Sequence, residues 1–455
     1  MKTCLAPGRG LGFVLGFALA AALPVRSADL VGSLALPEVA FGGQIASWLE
    51  LPAPQPDGMP DDLEPVSGRE RASARLTLDW EAVSFSLGAS ASLRREGGRP
   101  ELGVDEALLT AAPADFLAFR LGRFRLDESA ALLLGVADFL CPQDVETLLS
   151  GDAEEASMPE DLVSATLLAG DLSLRLVYAP FVPPSVVPDP GSPWFPDGIL
   201  PRSLRIIGNT HTIRDVTVAE PDEGPFSLDP AYLVSLDYSG DRGDLGASFF
   251  TGPDRAAPWS SSVLLESLIL PGDYDAELFQ RVSRIWAAAL SGSLILGDWR
   301  FAAESAYANG KVADTTELDE EGSVYQWRYL TDELDGLSGV LSVSWSPSGL
   351  PVRAVAELRH ARYFHAATGS HLPELGNAAA SAFSWSMPFA DALLEALVLA
   401  SLQDGSVAAT LRGILPFGSD AELSVLVPLF FGDEESELGR YGQRPVATVT
   451  LKARF

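Results

Sequence analysis

Pro445-Val446-Ala447-Thr448-Val449-Thr450-Leu451-Lys452-Ala453-Arg454-Phe455 is the stretch whose reading decides the fold. Successive side chains of a strand point to opposite faces, so Ala447, Val449, Leu451, Ala453 and Phe455 share one face and Thr448, Thr450, Lys452 and Arg454 share the other. One face is dry and the other wet. A strand of this kind lies at a boundary between an apolar medium and water, and the aromatic residue that closes its dry face carries the terminal carboxylate.

The rest of the chain repeats the pattern. Mean hydropathy is +0.16, which places the chain near membrane proteins. Beyond Leu23, however, no uncharged apolar run approaches the roughly 18 residues that a helical span needs. Only helices and closed barrels satisfy every backbone hydrogen bond in lipid, so short alternating segments point to the barrel. The clearest runs from Val83 to Arg95, with Val83, Phe85, Leu87, Ala89, Ala91 and Leu93 opposing Ser84, Ser86, Gly88, Ser90, Ser92 and Arg94. Similar segments, paired across turn signals such as Gly170-Asp171 and Gly297-Asp298, predict an all-β, antiparallel up-and-down transmembrane barrel of about 18 strands (roughly 16 to 20). Residues 323–331 also alternate and are assigned to a loop.

The last strand resembles that of bacterial outer-membrane β-barrels, in which a terminal Phe is characteristic. The resemblance implies that Phe455 is an assembly signal, with the barrel assembly machinery and outer-membrane lipids as partners. Placing Phe455 in the periplasm puts the short connections on that side and the long ones outside, the asymmetry outer-membrane barrels show. The long connections are residues 52–72, 125–159, 181–230, 252–280, 310–336, 365–376 and 431–444.

Residues 1–27 read as a secretory signal peptide, with a weakly basic head at Lys2 and Arg9, an apolar run from Leu11 to Leu23, and Val25 and Ser27 before the cleavage point. Residues 28–455 then form a single barrel domain destined for the bacterial outer membrane. Cys141 is the one thiol left, so neither a disulfide framework nor a Cys-rich metal site is expected. The formal charge of −31 becomes more negative once Lys2, Arg9 and Arg26 leave, which excludes charge-driven nucleic-acid binding. Much of the acid lies in long connections, for example Asp314, Glu317, Asp319, Glu320 and Glu321, where divalent cations could bridge to anionic lipid.

A second resemblance covers about 30 residues. Arg120-Leu121-Gly122-Arg123-Phe124 and Leu134-Gly135-Val136-Ala137-Asp138-Phe139-Leu140-Cys141-Pro142-Gln143-Asp144-Val145 resemble the R-x-G-R … W-G-x-x-D-x-x-x-P-x-D stretch of a group of porin-like outer-membrane barrels. Leu134 stands where Trp is usual and Cys141 where Asn is usual. The loop is too apolar for water, and Pro142 and Asp144 would turn it back into the lumen as a constriction carrying Asp138 and Cys141. The competing reading is an irregular strand over residues 130–136.

Candidate pore-lining residues are the inward cations Arg120, Arg175, Arg353, Arg359 and Arg412, with Glu304, Glu357 and Glu422 as their expected partners. Ser84, Ser86, Ser90, Thr410, Thr448 and Thr450 are read as the small polar lining of a wet lumen. No cofactor or metal is expected: His360, His365 and His371 do not form a ligand pair, and no nucleotide-binding or hydrolase motif follows the signal peptide. The Arg242-Gly243-Asp244 tripeptide falls in a tight turn. The sequence reads as a non-enzymatic, porin-like channel for small polar solutes or ions. The alternative is a surface adhesin, or a lipid- or cation-bridging barrel with a plugged lumen.

Overall fold

The computed structural model describes residues 38–52, 67–80, 82–94, 101–126, 129–140, 157–181, 203–206, 209–218, 229–254, 259–265, 273–280, 283–321, 324–364, 377–387, 392–433, 436, 438–441 and 446–455. In chain order its strands are β1 (Glu38–Pro52), β2 (Ser67–Trp80), β3 (Val83–Arg94), β4 (Glu101–Ala114), β5 (Leu117–Phe124), β6 (Glu160–Ala169), β7 (Leu172–Ala179), β8 (Ser203–Ile206), β9 (Asn209–Val218), β10 (Ala231–Gly240) and β11 (Gly243–Pro253). They continue as β12 (Trp259–Leu265), β13 (Asp273–Gln280), β14 (Arg284–Leu296), β15 (Trp299–Glu321), β16 (Val324–Trp345), β17 (Val352–Phe364), β18 (Ala378–Met387), β19 (Ala392–Ser401), β20 (Val407–Phe417), β21 (Ala421–Phe431) and β22 (Val446–Arg454).

Eighteen of these close into one antiparallel ring: β1 to β7 in sequence, then β10, β11, and β14 to β22. The seam pairs β22 with β1, from Pro52↔Val446 to Gln44↔Arg454, and leaves the ring no free edge. One hydrogen bond further on, Gly43 and Phe455 exchange both backbone bonds.

Alternation sorts the side chains as the sequence pattern requires. On β14, Ile285, Ala287 and Ala289 are buried inward while Trp286, Ala288 and Leu290 are exposed outward. Leu87, Leu245, Leu290, Leu341, Leu411 and Val425 share in an apolar outer belt contributed by strands all round the ring. Aromatic groups edge that belt at both ends. Phe41 and Phe455 stand near the terminal-carboxylate end with Trp299 and Trp345, whose rings are 6.0 Å apart. Tyr178 with Tyr232 and Trp286 with Tyr307, each pair at 5.3 Å, stand near the other. A closed barrel dry outside and edged by aromatic girdles is built for a bilayer.

Three connections expected to be loops contain strands. Within residues 310–336 the β15–β16 hairpin continues, paired without interruption from Lys311↔Leu334 to Glu321↔Val324, so residues 324–331 belong to a strand and residue 323 lies outside the described residues. Their alternation was a true strand signal: a ladder extending past the wall still satisfies its backbone groups by pairing. Strands β8 and β9 lie within 181–230, and β12 and β13 within 252–280. β12 joins the upper β16, β13 pairs with β12, β9 runs parallel to β13, and β8 completes the sheet beyond the ring. The acidic stretch 314–321 therefore lies on an extended strand backbone.

Candidate functional site

The lumen is organised by a loop that the wall holds through two buried carboxylates. Glu304 on β15 and Glu357 on β17 both point inward and are almost fully buried. Glu304 Oε1 accepts hydrogen bonds from Ser129 Oγ (2.9 Å), the Ala131 amide (2.7 Å) and the Ala130 amide, and its Oε2 accepts from the Val136 amide (2.9 Å). Glu357 Oε1 accepts from the Leu132 amide (2.7 Å) and Ser342 Oγ (2.7 Å), and its Oε2 from the amides of Leu133 (3.0 Å) and Leu134 (2.7 Å). Arg300 Nη2 donates to the Ala130 carbonyl at 3.0 Å. A loop without secondary structure inside a barrel would leave its amides unpaired, and here two buried carboxyl groups supply the acceptors.

The loop is also packed. Ala131 and Leu134 cluster with Val340, Ala378 and Ala380, and Ala137 with Ala289 and Ala306. Phe139 stacks on Phe250 with centroids 5.4 Å apart, and Leu140 joins a cluster with Phe124, Leu162, Leu233 and Phe250. Alanines on the inner wall let the loop backbone approach closely enough to be hydrogen-bonded. Gly135 serves the same end, because a Cβ there would come within 2.1 Å of Ser129 Oγ. The inner wall under the loop is therefore largely apolar, while Ser84, Ser86, Ser90 and Thr410 of the expected polar lining remain half-buried elsewhere on it. Thr448 and Thr450 do face inward, but both are buried.

A cavity of about 820 Å³ opens beside the β1–β5 and β22 wall, and its character is ionic. Arg71, Arg75, Arg120, Arg125, Lys452 and Arg454 line it, with Asp105 and Glu106. Arg71 Nη2 binds Asp105 at 2.8 Å, Ser90 Oγ donates to the same carboxylate oxygen at 2.9 Å, and Arg75 pairs with Glu106. Asp105 and Glu106 are adjacent, and strict alternation would send them to opposite faces. The register between β3 and β4 shifts there, Gly88 pairing with Glu106 and Ala89 with Val104, and this bulge turns both carboxylates into the lumen.

Of the sequence-predicted residues, Arg120 lines the cavity, with its guanidinium 4.1 Å from the Phe124 ring centroid. Arg175, Arg353 and Arg359 share the inward faces of their strands with Val177 and with Val355 and Glu357. Glu304 and Glu357, expected as partners of these arginines, accept hydrogen bonds from the loop amides. Glu422 binds Arg454 (3.2 Å), and Arg412 faces Glu395 (3.6 Å), a carboxylate sequence reading passed over. Arg71, Arg75, Asp105 and Glu106 were also missed. Arg75 shares the wet face of its strand with Ser73 and Thr77, so that signal was available, whereas the bulge leaves no local mark.

In the constriction segment Asp138 lies in the lumen loop, and its residues 130–136 form no strand. Cys141, Pro142 and Asp144 lie outside the described residues. His360 Nδ1 is hydrogen-bonded to Asn377 Oδ1, and His365 and His371 lie outside the described residues. Among the described residues no group of three His, Cys, Asp or Glu side chains could hold a metal ion. Gly243 opens β11 beside the Asp241–Arg242 turn, where a Cβ would meet the Ser293 carbonyl at 2.0 Å, so the tripeptide is explained by turn packing.

No family model and no curated protein matches the chain. Among solved structures, OmpF of Salmonella typhi in complex with daunomycin is 8% identical over 92% of this chain and 98% of that one, with a TM-score of 0.44. In-vitro folded OmpT, an outer membrane protein of Vibrio cholerae, is 11% identical over 92% and 100%, with a TM-score of 0.43. A triple mutant of Rhodopseudomonas blastica porin is 11% identical over 92% and 100%, at 0.41. The barrel stands on the chain's own closed ladder, whose eighteen strands are traced residue by residue above.

Proposed function

We propose that the protein is a bacterial outer-membrane channel through which small polar solutes or ions diffuse passively. The observation that carries this reading is the division of the lumen: a loop bound along one side through Glu304 and Glu357, and an ionic cavity left beside it. A plugged structural barrel would have no need of a wall that concentrates the loop on one side and charge on the other. The apolar belt and its aromatic edges support residence in a bilayer, and the closed ladder supports insertion as a single barrel. The loop sets the width of the passage, and the charged wall sets what enters it.

The test is single-channel recording of the refolded protein in planar bilayers. Discrete, ohmic current steps are expected. The external sheet of β8, β9, β12 and β13 favours a second reading, a surface adhesin, which predicts a silent bilayer and loss of surface binding when residues 314–321 are neutralised.

A further inference from the structure

We infer that the lumen selects anions, and that its permeating class is small phosphate- or carboxylate-bearing solutes. The inference rests on the channel reading and names the substrate class. Among the described residues the cavity is lined by six cations, Arg71, Arg75, Arg120, Arg125, Lys452 and Arg454, against two carboxylates, Asp105 and Glu106. Glu422, bonded to Arg454, adds a third carboxylate beside it, and an excess of positive charge remains. This lies inside a chain whose formal charge is −31, so the described lining of the cavity has the opposite sign to the chain as a whole.

The arrangement is as informative as the count. Arg71 binds Asp105, Arg75 pairs with Glu106, and Arg454 binds Glu422, which fixes those guanidinium groups along the wall. Arg120 is oriented instead by the Phe124 ring, and Arg175 stands two strands along the same inner wall. The two carboxylates that would have opposed this field from across the lumen, Glu304 and Glu357, are buried and occupied by loop amides, so little of their charge reaches the passage. A low-dielectric wall focuses the remaining positive field into the cavity. Like-signed rings of Arg and Lys are the usual means of favouring anions in a pore.

The experiment is the reversal potential of the refolded channel across a potassium chloride gradient. With several charges roughly a Debye length from the permeating ion, chloride should permeate about three times or more as readily as potassium. Arg120→Gln with Arg75→Gln should lower that ratio about twofold or more. Glu106→Gln should move it the other way, which keeps the test informative should the arginine variant fold poorly. A wild-type channel that prefers potassium or does not discriminate overturns the inference while leaving the channel reading intact, as does an unchanged ratio in Glu106→Gln. A silent bilayer overturns the channel reading alone. Calorimetric titration of the folded barrel with inorganic phosphate then decides the anion site, where binding weakened by Arg120→Gln supports it and no binding by the wild type overturns it.

Discussion

Gly43 and Phe455 exchange both backbone hydrogen bonds, at 2.9 and 3.0 Å, and the Phe455 ring occupies the space where a Cβ of Gly43 would lie. The last residue of the chain is thus the final rung of the seam that closes the barrel, and the absence of a side chain at residue 43 makes room for it. A Cβ would stand 2.5 Å from the ring and 2.6 Å from the Ser73 carbonyl. Gly43→Val should therefore cost about 1–3 kcal/mol through overpacking at the seam. Deletion of Phe455 should reduce assembled barrel far more than Arg454→Ala, which loses only the partly exposed pair with Glu422. Heat-modifiable gel mobility of membrane fractions checks both, and equal yields for the two terminal variants would refute the role given to Phe455.

The wall supplies a paired test of register. Leu87 faces outward on β3 and Ser86 inward, so Leu87→Arg should cost roughly 2–4 kcal/mol in a bilayer and Ser86→Arg little. Val425→Arg and Ser424→Arg on β21 separate in the same sense, although Ser424 is buried and its variant must also find space. Equilibrium unfolding in lipid vesicles measures the differences. Equal penalties at residues 86 and 87 would mean that the outer face is not in lipid.

Removing the loop anchors should change the pore without unfolding the ring. Glu357→Ala leaves three loop amides and Ser342 Oγ without their acceptor, each worth about 1–3 kcal/mol when buried and unpaired. The loop should leave the wall, and conductance should rise. Glu357→Gln, which keeps one carbonyl oxygen as acceptor, should fall between the two. Because the ring ladder does not pass through the loop, heat-modifiable mobility should be retained in both variants. Unchanged conductance in the double variant Glu304→Ala, Glu357→Ala would show that the loop does not limit the passage.

Cys141 follows Leu140, whose side chain is buried among Phe124, Leu162, Leu233 and Phe250 at the inner wall. It is the one cysteine of residues 28–455, so a bulky, charged, membrane-impermeant thiol reagent addresses it alone. Modification should reduce single-channel current. Labelled protein that conducts as before would remove this segment from the permeation path.

Much of the architecture was legible from the chain because the relevant signal is local. A period of two needs only neighbouring residues, and it divided Leu87 from Ser86 and Val449 from Thr448 without any knowledge of their partners. The same rule located all eighteen wall strands, and it marked residues 323–331, whose assignment to a loop set that signal aside. The apolar character of residues 130–140 likewise announced a segment unsuited to water.

By itself, then, the sequence determined that the chain forms a closed barrel with a dry outer face, and which side chains most strands turn inward. What Glu304 and Glu357 do there was decided only in three dimensions, because their partners, Ala131 and Leu132, lie 173 and 225 residues away and meet them only after the ring has closed. The same holds for Asp105 and Glu106. Their common direction comes from a one-residue shift in the pairing of β3 with β4, and a shift in register is a property of two strands together that neither strand's own sequence carries.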